Sequence, residues 1–318
     1  MERVLVTGAG GFIGHHLVTS LKQQGFWVRG VDLKVPEYTD PDADEFEVLD
    51  LRDWENCLQA TRDVDHVYAL AADMGGMGFI SKNHATILHN NALINLHTIE
   101  AARVNGVSRY LYTSSACIYP EFRQMEAIIE PLKEEDAYPA QPQDAYGWEK
   151  LISEKLCEYY TEEHGLETRV VRFHNVYGPY GTYTGGREKA PAAICRKVAE
   201  VEDGGAIEIW GDGEQTRSFC YIDDCVDGIN RIMGSEYREP LNLGRQDMVT
   251  INQLAQMVIE VSGKTGITLQ HVSGPQGVRG RNSDNTRLKQ VLGWEPSIPL
   301  EDGLISTYQW IDKMVHAS

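Results

Sequence analysis

The sequence predicts an α/β fold, a doubly wound parallel sheet with a smaller α/β lobe laid over its carboxyl edge. Three observations carry this. Short β-branched runs alternate with helical segments through the first 115 residues. A glycine-rich turn joins the first strand to the first helix. After about residue 175, clusters such as Gly178-Pro179, Gly185-Gly186, Gly211-Asp212-Gly213 and Gly274-Pro275 break the alternation into shorter elements.

Bulk properties narrow the function classes. A chain of 318 residues, 42% hydrophobic and 24% charged, can bury a core, which excludes disorder and fibre. A net charge of −18 repels phosphate backbones, so nucleic acid is not an expected partner. An anionic ligand would have to be met by basic residues gathered locally. No run of about 18 apolar residues exists, so no membrane span is expected. Met1-Glu2-Arg3-Val4 enters a strand with no leader to cleave, which points to the cytoplasm. The six cysteines lack a CxxC pair or metal-like spacing and read as reduced thiols; no metal site is expected.

The elements follow in order. Val4-Leu5-Val6 is a buried strand by length and branching. Gly8-Ala9-Gly10-Gly11-Phe12-Ile13-Gly14 comes next, then a helical segment from His15 to Gln24. Strand, glycine turn and helix in this order is the context of a Rossmann dinucleotide fingerprint. Gly8 permits the turn, Gly11 lets the backbone approach a pyrophosphate, and Gly14 lets helix pack on strand. The helix start at Phe12 and Ile13 offers N–H groups to phosphate. A second strand, Phe26 to Asp32, ends in an acid placed to hydrogen-bond a ribose 2′-hydroxyl and repel a 2′-phosphate. That favours NAD over NADP, with Lys34 as the counter-signal. Glu47 to Leu51 reads as a third strand, and Asp50 either faces the adenine or is an ordinary turn residue.

His66 to Ala72 is a fourth strand running into the glycine-rich loop Asp73-Met74-Gly75-Gly76-Met77-Gly78, at the end where open sheets bind ligands. A helix over 84–104 is apolar on more than one face, and Arg109 to Ser115 forms a fifth strand. Farther on, Tyr146 and Lys150 stand four apart on one face of a helix. There the ammonium is expected to favour the phenolate. Trp148, Leu151, Ile152, Leu156, Tyr159 and Tyr160 give that helix an apolar stripe, interrupted by Lys155. Ser115, at a strand end, can hydrogen-bond a hydroxyl or ketone. His174 reads as a structural histidine.

With these motifs in sequence, the chain resembles the extended short-chain dehydrogenase/reductase superfamily over nearly its whole length. Trp210 to Phe219 and Tyr221 to Asp224 are similar to its nucleotide-sugar segment. The resemblance implies NAD held by Gly8, Gly11, Phe12, Ile13, Gly14, Asp32, Asp50, Tyr146 and Lys150. It also implies an NAD-binding domain over 1–175 and a mainly sugar-nucleotide-binding lobe over 176–318, with returns to the first domain. Such enzymes oxidise a hexose at C4, transform the ketone and reduce it again. The 4,6-dehydratases place an Asp-Glu pair where this chain has Ala116-Cys117, and simple 4-epimerases give no reason for that cysteine.

Ala72 to Gly78, Ser115 to Phe122, Gly185 to Pro191 and Val278 to Asn285 are similar to the GDP-mannose 3,5-epimerases of the plant vitamin C route. This closer resemblance implies Cys117 as base and Lys189 as acid in epimerisation, with Tyr146, Lys150 and Ser115 serving the hydride steps. A GDP-mannose-type nucleotide sugar would meet Gly75, Ser115, Cys117, Asn175, Glu188, Lys189, Ala190, Lys197, Gln215, Arg217 and Arg279, with Arg281 able to replace Arg279. A homodimer is implied, helices 84–104 and 146–163 pairing in a four-helix bundle. A UDP- or GDP-hexose 4-epimerase and a non-catalytic NAD-sensing protein stay open as alternatives.

Overall fold

A computed structural model describes residues 1–317. The first half alternates strand and helix: β1 (Arg3–Thr7), α1 (Phe12–Gln23), β2 (Trp27–Asp32), β3 (Glu45–Val48), α2 (Trp54–Ala60), β4 (His66–Ala69), the single turn α3 (Met77–Ile80), α4 (His84–Val104) and β5 (Arg109–Ser115). After a long irregular stretch come α5 (Ala145–His164), β6 (Glu167–Phe173), β7 (Val176–Tyr177) and α6 (Ala190–Glu200). The remainder is shorter: β8 (Ala206–Trp210), β9 (Thr216–Arg217), β10 (Cys220–Tyr221), α7 (Ile222–Gly234), β11 (Leu241–Leu243) and β12 (Val249–Thr250). It closes with α8 (Ile251–Ser262), β13 (Thr268–Val272), β14 (Gly280–Arg281), α9 (Thr286–Leu292) and α10 (Leu300–His316).

Seven strands form one parallel sheet in the order β11-β6-β5-β4-β1-β2-β3, the doubly wound arrangement the sequence predicts. Its strands are apolar on both faces because each face is covered. Val4 and Val6 of β1 enter one core with Leu17 and Ile222, whereas Leu5 between them enters the other with Val31, Val67 and Tyr110. Strand order reverses between β1 and β4, which opens a crevice beyond their carboxyl ends. The glycine turn after β1 and the loop over 70–78 after β4 both lie there.

Beyond residue 175 the chain does not leave the sheet for good, since β11 pairs with β6 at its edge, Leu243 beside Phe173. Among the shorter strands β9 lies between β12 and β14, and the register sets Arg281 beside Arg217. No helix of the described residues is long and apolar enough to cross a membrane.

Three local expectations are corrected. α1 begins at Phe12 rather than His15, so Phe12 and Ile13 form its first turn under Gly11. β3 ends at Val48, which leaves Asp50 outside it in a turn. The apolar stripe of α5 is split: Trp148, Ile152 and Tyr159 are exposed, Leu151 is buried with Leu156 and Tyr160 partly so, and Tyr146, Glu149, Lys150, Ser153 and Glu154 also point inward. The period of the stripe is helical, but part of the interior that α5 faces is polar.

Candidate active site

The glycine turn makes a cradle only glycine can line. Gly8 sits at φ +71, a Cβ on Gly10 would lie 2.0 Å from the Lys34 carbonyl oxygen, and one on Gly14 would lie 2.0 Å from that of Gly8. No side chain caps the start of α1 and no acid occupies its first turn, so its N-terminal dipole faces the crevice uncompensated. At the end of β2 the Asp32 carboxylate accepts the Gly10 N–H at 3.0 Å and the Leu33 N–H at 2.6 Å. Burial raises its affinity for a proton, against those same hydrogen bonds. Gly10, Gly11, Phe12, His15, Lys34 and Tyr180 line the cleft beside it. These features fit a dinucleotide: phosphates at the helix start, ribose hydroxyls at Asp32. Asp50 is not among the residues lining that cleft, and Arg52 grips its carboxylate through Nε and Nη2.

The chemistry-bearing groups meet at the carboxyl end of β5. Ser115 ends that strand, and its Oγ accepts the Cys117 N–H at 3.2 Å, capping the turn Ala116–Ile118. Asp144 caps α5 by accepting the Gly147 N–H at 2.9 Å, which fixes the first turn carrying Tyr146 and Lys150. Gly147 is required for contact: a Cβ there would lie 2.2 Å from the Cys117 carbonyl oxygen. Lys150 donates to the Thr113 carbonyl at 3.0 Å and lies 5.5 Å from the centre of the Tyr146 ring.

Burial pushes the Tyr146 phenol well above its ordinary range, with Cys117 and Glu149 adding to the rise and Ser115 opposing it. The expected pull of Lys150 toward the phenolate is outweighed. Burial likewise lowers the proton affinity of Lys150 and of Lys189, whose electrostatic neighbours are Cys117 and Cys225.

Lys189 forms the N-cap position of α6, with Ala190 opening that helix. Its ammonium has no hydrogen-bond or ion-pair partner among the described residues. Arg281 donates from Nη1 to Cys117 Sγ at 3.2 Å and from Nε to the buried Gln124 at 2.6 Å. Arg217 donates only to the carbonyls of Thr216, Gln276 and Val278, and burial, with Arg281 beside it, lowers its proton affinity to about 9. Arg281 thus contacts Cys117, Lys189 and Arg217 interact with it electrostatically, and no carboxylate is ion-paired to any of the three among the described residues. In a chain of net charge −18 that gathering of cations suits an anion.

The other expected substrate contacts divide. Gln215 has a buried Oε1 with no partner, and Asn175, at φ +46, donates to the Ser218 carbonyl. Gly75 packs against Phe79, and Glu188 accepts the Gly186 N–H. Lys197 is turned to the Glu208 carbonyl. Arg279 is held by the carboxylate of Asp212 at 2.7 and 2.8 Å, whereas Arg281 reaches Cys117. Gln124, which orients Arg281, was not legible in the sequence; an irregular segment gives no period from which to read it.

A dinucleotide crevice joined to a Tyr/Lys/Ser set and an anion pocket defines an oxidoreductase-derived enzyme of activated sugars. The chain belongs to the NAD dependent epimerase/dehydratase family, whose pattern its residues 4–244 match. Within it the likeness is to the GDP-mannose 3,5-epimerases. The chain is 53% identical over 315 residues to GDP-mannose 3,5-epimerase 1 of Oryza sativa subsp. indica, covering 98% of this chain and 82% of that one. It is equally 53% identical to the GDP-mannose 3,5-epimerase of Arabidopsis thaliana, over 98% and 83% of the two chains. Among solved structures, the UDP-glucose 4-epimerase of Thermotoga maritima, determined with UDP-glucose, superposes with a TM-score of 0.88 at 28% identity, over 98% of this chain and 99% of that one.

Proposed function

We propose that this chain is an NAD-dependent GDP-mannose 3,5-epimerase, converting GDP-D-mannose to GDP-L-galactose, and to GDP-L-gulose where only C5 inverts. The observation that carries this is the placement of Cys117 between the Tyr146/Lys150/Ser115 set and the unpaired Lys189, Arg217 and Arg281. A 4-epimerase has no use for a thiol facing an ammonium there. NAD, which the Gly8 to Gly14 turn and Asp32 would hold, would supply the hydride acceptor and donor for C4. Tyr146 exchanges the proton of the C4 hydroxyl, Lys150 holds that tyrosine's surroundings cationic, and Ser115 hydrogen-bonds the same oxygen.

With C4 at the ketone level, the hydrogens on C3 and C5 lie α to a carbonyl and become removable. Inversion needs a base on one face of the ring and an acid on the other, which Cys117 and Lys189 supply. Arg217 and Arg281 bind the diphosphate. The protein acts as a cytoplasmic homodimer. Its six free cysteines support a reducing compartment, and the exposed Leu88 and Leu96 of α4 with Trp148, Ile152 and Tyr159 of α5 support a paired face. Sedimentation as a monomer at micromolar concentration would count against the dimer.

The deciding experiment is incubation with GDP-mannose in heavy water, followed by NMR of the products. Deuterium enters C3 and C5 in the native enzyme, and Cys117→Ala lowers that exchange about 10²–10⁴-fold while NAD stays bound. Lys189→Ala blocks net inversion but leaves some exchange with retention, since Cys117 can return a proton to the face it came from. Native product without deuterium at C5 overturns the reading.

A further inference from the structure

Beside the Tyr146/Lys150 pair lies a buried carboxylate for which the chemistry above has no use. Glu149 precedes Lys150 on α5 and is 2% exposed. Its Oε1 accepts the Tyr112 hydroxyl at 3.1 Å, the Ser153 hydroxyl at 3.2 Å and the Asn95 amide. Its Oε2 accepts the Asn91 amide at 3.2 Å. The donors are neutral, and the two amides can reach the carboxyl only as donors. The set suits an anion.

Lys150, also 2% exposed, has no carboxylate within ion-pair distance among the described residues. Its ammonium donates to the Thr113 carbonyl and lies 4.8 Å from the centre of the Tyr112 ring. The ionisable groups around it are Tyr112 from β5, Cys117 from the turn that follows, and Tyr146, Glu149, Glu154 and Cys157 from α5, and the α4 residues that reach Glu149, Asn91 and Asn95, are neutral. Burial disfavours the ammonium, and Glu149 is the first of the groups that oppose this, ahead of Cys157, Glu154 and Cys117.

The second oxygen of Glu149 faces the loop after β4. Asn91 clasps Asp73 by accepting its N–H at 2.6 Å and donating to its carbonyl at 3.2 Å. The Asp73 carboxylate accepts Arg187 at 3.0 Å, and the Gly76 N–H donates to the Arg187 carbonyl at 3.0 Å. Arg187 also lies 3.8 Å over the Phe79 ring. Two residues later in this strap comes Lys189.

We infer that Glu149 is a positioning residue. Its carboxylate, hydrogen-bonded to the Tyr112 over whose ring the Lys150 ammonium lies, supplies counter-charge for that buried cation, and its Oε2, through Asn91 and Asp73, fixes the strap that presents Lys189. The inference rests on the epimerase reading for the roles of those two lysines.

The test follows turnover of GDP-mannose against pH, deuterium entry at C3 and C5, and thermal unfolding. Glu149→Gln keeps the shape and removes the charge, so the alkaline limb of turnover moves about one pH unit lower, a tenfold loss in the proton affinity of Lys150. Glu149→Asp retains the charge and returns the limb to its native position. A merely structural role lowers the unfolding temperature of both variants and moves the limb of neither, and that outcome overturns the inference. Arg187→Gln, at an exposed side chain, tests the strap even if Glu149→Gln does not fold. Exchange and inversion fall about tenfold with the alkaline limb in place, and inversion at the native rate refutes the connection. Native enzyme that leaves the sugar unlabelled overturns the functional reading itself, and the inference falls with it.

Discussion

Gly147→Ala tests the geometry most directly, because a single methyl group separates two opposed effects. In the middle of an unpacked helix this change stabilises by up to about 1 kcal/mol. Here the added Cβ would meet the Cys117 carbonyl oxygen at 2.2 Å, the Cys117 carbonyl carbon at 2.9 Å and the Pro142 Cβ at 2.8 Å. Ordinary contact begins near 3.4 Å, so α5 and the Cys117 turn must separate by about 1 Å. Neither side yields cheaply, since one is a helix capped by Asp144 and the other a backbone turn capped by Ser115. Overpacking of this kind costs about 1–3 kcal/mol, which outweighs the helical gain. A displacement of about 1 Å between Cys117 and Tyr146 lowers turnover about 10²-fold. Initial rates with GDP-mannose and thermal unfolding followed by circular dichroism measure both effects. A variant within twofold of the native rate and melting at a higher temperature would refute the close approach.

Three further outcomes are expected. Tyr146→Phe abolishes deuterium entry at C3 and C5 together with turnover, because those hydrogens are acidic only beside a C4 ketone; native-rate labelling at C5 would refute the keto route. Asp32→Ala weakens NAD and relaxes discrimination against NADP, measured by calorimetric titration of each. A native protein that co-purifies with NADP would instead shift weight to Lys34. Burial of His174 lowers its pKa to about 3 in the folded chain, against an ordinary value of 6.5. Between those values the unfolded chain holds the extra proton, so stability falls as pH drops below 6.5, by about 2 kcal/mol at pH 5 from this residue. His174→Gln should flatten that slope in urea unfolding at pH 7 and 5, and an unchanged slope would contradict it.

The local order of apolar residues was enough to determine the parallel sheet. Val4-Leu5-Val6 reads as a strand buried on both faces, and of the glycines read as the turn, Gly8 and Gly14 stand where a Cβ would collide with backbone. The Tyr146/Lys150 spacing was legible for the same reason: one helical turn fixes it whatever lies around. What lies around was decided by the fold. The stripe of Trp148, Ile152 and Tyr159 has the period of a core face yet points outward, because Asn91 and Asn95 of α4 and Tyr112 of β5 offer α5 a polar interior that shelters Glu149 and Lys150. Arg279 and Arg281 are indistinguishable as sequence. Asp212 captures the first, and the pairing of β14 with β9 and the side chain of Gln124 turn the second onto Cys117. Such partners come from segments far apart in the chain, and their charges balance only once tertiary contacts bring them together.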